Sequence, residues 1–311
     1  MTDYSQLIDD ETWDFIRTTD AAYPPDTATL TIADQRAIYD RMCRLFFRGY
    51  PPGVTAADRM FGGVPCRIYP GDGAVVVYFH GGGFVVGGLH SHDDVCAEIR
   101  ARTGHTVVAV DYRLSPEHPH PAAFDDACAA TRAVADEIGG PMVLAGDSAG
   151  GNLAAAVAQA IGRNGALGIV GQVLIYPGLG GRRGEGSYVT HAHAPMLTAA
   201  DIAFYAGIRH GGVAPEAPDA TVSPLADTDF SGLPPTLAIA AECDPLADDA
   251  PAYAAKIVAA GGVAVAVTEP GLVHGYLRAR SSVGRAARSF DRICAGIAAL
   301  VKGTFPEEVP T

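Results

Sequence analysis

The stretch LAGDSAGGNLAAAVAQAIG, residues 144–162, decides the fold. An apolar run, PMVLA (141–145), leads into Gly146, Ser148 and Gly150, and the chain continues with Leu153, Val157 and Ile161 along one stripe at helical spacing. In a chain with 37 glycines, Gly-x-Ser-x-Gly also arises by chance in loops, so the spacing alone says little. Between a strand and an amphipathic helix it predicts a nucleophile elbow. The turn is sharp enough to hold its serine in a strained backbone, and flanking glycines remove the Cβ atoms that would collide there. Ser148 is the candidate nucleophile.

The same alternation extends in both directions. Apolar runs at 74–79, 106–112, 141–146, 171–177, 236–242 and 263–269 read as strands buried on both faces, with helical patterns between them, such as Phe290, Ile293, Ile297 and Leu300. Strand, helix, strand repeated in this way predicts an α/β fold with a mostly parallel central sheet flanked by helices. Two segments stand outside the pattern: residues 1 to about 48, helical before the first predicted strand, and the long insertion from Pro177 to Pro235. In the insertion, Thr198 and Asp201 sit at capping-box spacing for a helix. Ligands of parallel sheets bind beyond the carboxyl ends of the strands, so we expect a helical cap from about 1–48 and about 178–222 on a single domain spanning 1–311.

Composition narrows the chemistry. The 311 residues carry 22 Lys and Arg against 35 Asp and Glu, a formal charge of -13, with no basic block. Nucleic acid and anionic membrane are therefore poor partners, and a neutral or weakly charged small molecule fits better. The six cysteines are scattered without Cys-x-x-Cys, as expected of reduced thiols in a cytoplasmic protein. The start, MTDYSQLIDDETWDF, is acidic and polar and does not read as a signal peptide, and no apolar run reaches membrane-spanning length.

A serine hydroxyl needs a base, and the base needs an orienting group. His274 lies just after the strand pattern VAVAV, and Asp244 just after TLAIAAEC, so both fall at the carboxyl edge of the sheet in the chain order Ser, Asp, His. Glu242, Asp248 and Asp249 are rivals of Asp244, the latter two as solvated carboxylates opening a helix; Asp244, nearest the strand end, is favoured. FHGGGF (79–84) places three glycines at another strand end, where bare backbone can aim N–H groups at a developing oxyanion, joined by the amide of Ala149. A phosphate loop is the alternative, but no Gly-Lys-Ser/Thr follows. The histidine pairs 90/92, 118/120 and 191/193 raise the question of a metal, and their settings (a helix start, a flanked proline and the insertion) argue against one. In YRLSPEHPHPAAFDD (112–126), Arg113 and Glu117 are expected to pair and X-Pro steps to stiffen a loop that braces the glycines.

Taken together, YFHGGGFVVGGLHSHDDVCAEI, VVAVDYRLSPEHPHPAAFDDA, LAGDSAGGNLA, DPLADD and HGY resemble the hormone-sensitive-lipase-like carboxylesterases of the α/β-hydrolase superfamily, over about residues 60–280. The resemblance implies an α/β-hydrolase fold with a helical cap, a triad of Ser148, Asp244 and His274, and an oxyanion hole from Gly82, Gly83 and Ala149, with Gly81 beside them. It also implies a small-molecule ester substrate with a short acyl chain, an acyl-enzyme intermediate and no cofactor. Family members often pair as homodimers through the last strand and helix. Departures are slight: DPLADD where the family often has Asp-Pro-Leu-Arg-Asp-Glu, and Ser115 where Ala is usual. Amide or lactone hydrolysis uses the same triad, and a non-catalytic ligand-binding relative would normally lack the serine or histidine. Within SYVTHAHAPMLT (187–198), Tyr188, His193 and Met196 are the expected pocket-lining residues.

Overall fold

Runs such as VVVYF and TVVAV carry no polar face, so they are stable only where both sides of a sheet are covered. In the computed structural model, which describes residues 2–24, 27–213 and 219–305, every such run is a strand, but the run at 263–269, expected to be buried on both faces, is a partly exposed strand at the edge of the sheet. Helices α1 (Asp10–Asp20) and α2 (Ile32–Phe46) come first, followed by strands β1 (Ala57–Phe61), β2 (Val64–Tyr69) and β3 (Val75–Phe79). Then come α3 (Asp93–Thr103), β4 (Thr106–Val110), α4 (Ala122–Glu137), β5 (Met142–Asp147), α5 (Ala149–Ile161) and β6 (Ile169–Ile175). The chain ends with α6 (Ser187–Thr190), α7 (Ala199–Arg209), β7 (Thr236–Cys243), α8 (Asp249–Ala259), β8 (Ala264–Val273) and α9 (Gly284–Lys302).

The sheet order is β1-β2-β4-β3-β5-β6-β7-β8. From β4 to β8 neighbouring strands are parallel, while β2 runs antiparallel to both β1 and β4. The hairpin β1–β2 was not anticipated from the sequence. Four of the five residues of β1 are exposed at the sheet edge, so it shows no apolar run.

Alternate side chains of β3 divide the core. Val76 and Tyr78 pack on the face covered by α3 and α9, and Val75, Val77 and Phe79 on the face covered by α4, α5 and α8. The stripe Phe290, Ile293, Ile297 and Leu300 is buried as expected, each side chain contributing roughly 1.5–3 kcal/mol. The capping box at Thr198 and Asp201 forms and starts α7 where the spacing predicts. Among the described residues all six cysteines are free thiols, and no helix is long and apolar enough to cross a membrane.

Candidate active site

Ser148 sits between β5 and α5 with φ 56° and ψ −115°, a strained conformation for a residue with a side chain. The flanking glycines make the turn feasible. A Cβ on Gly146 would lie 2.4 Å from the carbonyl oxygen of Gly150, and one on Gly150 would lie 1.9 Å from that of Phe79. Both are far inside van der Waals contact, so the backbone of the elbow and β3 approach as closely as they do only because side chains are missing.

The hydroxyl so presented meets His274, whose Nε2 accepts its hydrogen bond at 2.8 Å. On the other side of the ring, Nδ1–H donates to Asp244 Oδ2 at 2.7 Å. A carboxylate only accepts here, which fixes the proton on Nδ1 and leaves Nε2 free as a base. Asp244 is fully buried, and its Oδ1 accepts the amide of Leu246 at 2.9 Å, so the carboxylate is held at both oxygens.

The rival carboxylates are engaged elsewhere. Glu242 accepts the Gly271 amide at 2.7 Å and Asp248 the Ser187 amide at 2.7 Å. Asp249, expected as a solvated helix-start carboxylate, is instead buried at 1% exposure beneath the loop that follows β6. It accepts from the amide of Leu179 and the hydroxyl of Tyr188, at 2.6 and 3.2 Å. Burial pushes its pKa up to about 7, against the lowering effect of those donors.

The glycine loop is pinned from beneath. The Gly81 amide donates to Asp147 Oδ1 at 2.9 Å, so Gly81, named with the oxyanion donors, has its N–H committed to the scaffold. The amides of Gly82, Gly83 and Ala149 have no protein acceptor among the described residues. Gly82 at φ +134° and Gly83 at φ +61° adopt conformations that side chains rarely take, and a Cβ on Gly82 would fall 2.1 Å from the Val86 carbonyl oxygen.

Asp147, inside the Gly-x-Ser-x-Gly motif, was assigned no role in the sequence. Its Oδ1 also accepts the Tyr78 hydroxyl at 2.8 Å, and the His92 ring lies 3.2 Å away. Burial raises the Asp147 carboxyl, but His92, Arg278 and the Tyr78 hydroxyl outweigh it and hold it well below the usual carboxylate range. The signal available was positional: a carboxylate on a buried strand must be partnered.

The loop is braced from above by YRLSPEHP, though not by the expected pair. The Tyr112 hydroxyl donates to the His80 carbonyl at 2.6 Å, and the Ser115 amide to the Phe84 carbonyl at 2.8 Å. Arg113 pairs with Asp126 at 2.8 Å, and Glu117 with Arg36 at 2.7 Å, because α2 brings Arg36 over the loop, where its Nε–H also donates to the Val85 carbonyl. His80 stacks on Tyr112 at 4.3 Å, and burial pushes its pKa down to about 3, so the ring is a neutral spacer.

Two cavities meet at Ser148. One of about 460 Å³ is lined by His274, Gly82, Arg278 and Met196, with Tyr23 and Tyr39 from the N-terminal segment and Tyr205 from α7. The other, of about 220 Å³, is lined by Ala149, Asn152, Tyr188 and Arg209. Of the expected lining residues, Tyr188 and Met196 face these cavities. His193 does not: it is exposed, and its neighbour His191 turns in to the Tyr4 hydroxyl at 3.0 Å. The histidine pairs are separated in the same way, with His90 on Asp40 and His120 on Thr221. Among the described residues no three His, Cys, Asp or Glu side chains gather as a metal site.

An elbow serine after β5, a carboxylate after β7 and a histidine after β8, all at the same edge of this sheet, define a serine-hydrolase arrangement on an α/β-hydrolase scaffold. The chain belongs to the α/β-hydrolase-fold family, in its hormone-sensitive-lipase-like branch; the family model matches residues 76–278. It is 39% identical to esterase LipI of Mycobacterium tuberculosis, covering 76% of this chain and 78% of that protein. It is 33% identical to an ethyl acetate hydrolase of Pseudomonas putida, over 72% of this chain and 74% of the relative. Among solved structures, ester-hydrolase EH1AB1 from the metagenome of Lake Arreo superposes with a TM-score of 0.84 at 32% identity, over 94% of this chain and 99% of the other.

Proposed function

We propose that the protein is a carboxylesterase that hydrolyses small carboxylic esters through an acyl-serine intermediate, with Ser148 as nucleophile, His274 as base and Asp244 as its orienting partner. The observation that carries this reading is the continuous hydrogen-bonded line from Ser148 Oγ to His274, at 2.8 Å, and on to Asp244, at 2.7 Å. Names of relatives, including carboxylesterase NlhH at 40% identity, support the ester as substrate class.

His274 Nε2 takes the Ser148 proton as Oγ attacks the carbonyl carbon, and the negative charge moves onto the carbonyl oxygen. The amides of Gly82, Gly83 and Ala149 stabilise that oxyanion, each worth roughly a hundred- to a thousandfold in rate. The imidazolium, stabilised by Asp244, protonates the departing alcohol. Water then enters, gives its proton to His274 and cleaves the acyl-serine, which restores the hydroxyl.

On this reading the described residues of 1–48 and 178–222 form the cap; residues 1, 25–26 and 214–218 lie outside the described residues. Support comes from the larger cavity, whose walls join Tyr23 and Tyr39 from the first segment to Met196 and Tyr205 from the second. The test is a panel of nitrophenyl esters of rising acyl length, with fluorophosphonate labelling of the serine. Ser148→Ala should abolish labelling and lower turnover on the order of a millionfold. A Ser148→Ala protein that retains most of its activity sinks the proposal.

A further inference from the structure

The two cavities that share Ser148 differ in their chemistry. His274 lines the larger one only, and it must hand its proton to the leaving oxygen, so the alcohol belongs there. The smaller cavity, lined by Ser148 and Ala149, is left for the acyl chain.

That acyl-side cavity is basic in an acidic protein. Arg183, Arg209 and His210 line it, and no Asp or Glu does among the described residues, although the whole chain carries a formal charge of -13. Arg209, at the end of α7, is 7% exposed. Its guanidinium lies over the Phe84 ring, 3.6 Å from the centroid. Nη1 donates to the Val222 carbonyl at 3.1 Å, and Nη2 to the Thr221 carbonyl and Asn152 Oδ1 at 3.3 and 3.4 Å. Every one of these partners is neutral.

Among the described residues no carboxylate lies within ion-pair distance of Arg209, and its Nε–H has no protein acceptor. Asp219, the acid whose field reaches it, is bonded to Thr221 and lies 3.4 Å from His120. A buried guanidinium held only by carbonyls, an amide and a ring face is incompletely compensated. A carboxylate entering the cavity would supply the missing charge and accept a charge-assisted hydrogen bond from an N–H that the protein leaves free, on Nε or on Nη1.

We propose that the acyl-side cavity accepts acyl groups that end in a carboxylate, so that the preferred substrates are half-esters of dicarboxylic acids, with Arg209 as the residue that sets this preference. The inference rests on the esterase reading above. A purely structural Arg209, pinning residues 221 and 222 to α7, would affect charged and neutral esters alike.

The experiment compares mono-4-nitrophenyl adipate with 4-nitrophenyl hexanoate, matched in chain length, using the full chain. Wild type is expected to show kcat/KM for the adipate at least equal to that for the hexanoate. Arg209→Gln is expected to lower the adipate-to-hexanoate ratio of kcat/KM by 10- to 100-fold, with Arg209→Lys restoring part of it. A wild-type ratio below one-tenth, or a ratio unchanged in Arg209→Gln, overturns the proposal. Should Arg209→Gln fail to melt cooperatively, the wild-type ratio alone decides. A wild type inactive on the hexanoate and the adipate alike would instead overturn the esterase reading.

Discussion

Gly82→Ala tests whether the glycine loop acts through its amides. The added Cβ would lie 2.1 Å from the Val86 carbonyl oxygen, whereas an ordinary carbon–oxygen contact needs about 3.3 Å, so the two must separate by roughly 1.2 Å. The loop has little freedom to share that movement, because the Gly82 carbonyl already accepts the amides of Val85 and Val86, both at 3.0 Å. A donor displaced by about 1 Å from a length near 2.9 Å no longer makes a hydrogen bond. Loss of one oxyanion donor corresponds to a fall of about 100- to 1000-fold in kcat. The φ of +134° adds backbone strain on the order of 1–3 kcal/mol, for a drop of several degrees in melting temperature. The assay is steady-state hydrolysis of 4-nitrophenyl butyrate beside a thermal melt. A Gly82→Ala protein with kcat within threefold of wild type refutes the argument, whatever its melting temperature.

Asp244→Asn should lower kcat by about ten-thousandfold with little change in KM, since the amide stabilises the wrong tautomer of His274; a loss under tenfold contradicts the assigned role. Tyr112→Phe leaves the buried His80 carbonyl without its donor and should cost about 1–3 kcal/mol in urea unfolding. Arg113→Ala, removing an ion pair whose arginine is half exposed, should cost less, and the reverse order counts against the bracing described here. For Asp249, a folded pKa of about 7 against an unfolded value near 3.9 means that the native state keeps a proton the unfolded chain releases. The stability this group contributes is full below about pH 4 and is lost as the pH rises through 7. Asp249→Asn should therefore gain on wild type in melting temperature from about pH 5 to pH 8, and a flat difference would refute the assignment.

Legibility in the sequence followed burial and backbone demands. Strands β3 to β7 were legible because two covered faces require unbroken apolar runs, and the edge strand β8 because its partly exposed VAVAV is apolar all the same, whereas β1 keeps one buried residue, Phe61, and its hairpin partner β2 is interrupted by exposed Pro65 and part-buried Arg67. The Gly62–Gly63 turn, with φ +59° and +81°, was the usable signal for that hairpin. Ser148, Asp244 and His274 could be nominated since each lies where a strand ends, and the structure brings all three within hydrogen-bond reach of one another in series. Partners set by long-range packing were not readable. The placement of Arg36 on Glu117, the burial of Asp249 and the outward turn of His193 depend on how α2, the loop after β6 and α6 come together, and no local spacing encodes that.

The serine stands where two chambers join, and only the chamber shared with His274 leads to the proton donor. On the mechanism proposed, the incoming water occupies the space just vacated by the first product, while the acyl group stays lodged on the other side. Any small alcohol that fits that vacated space competes with water for the same intermediate. Partition between hydrolysis and transesterification is thus governed by the larger chamber, and mutations there should change the acceptor without changing which acyl group is carried.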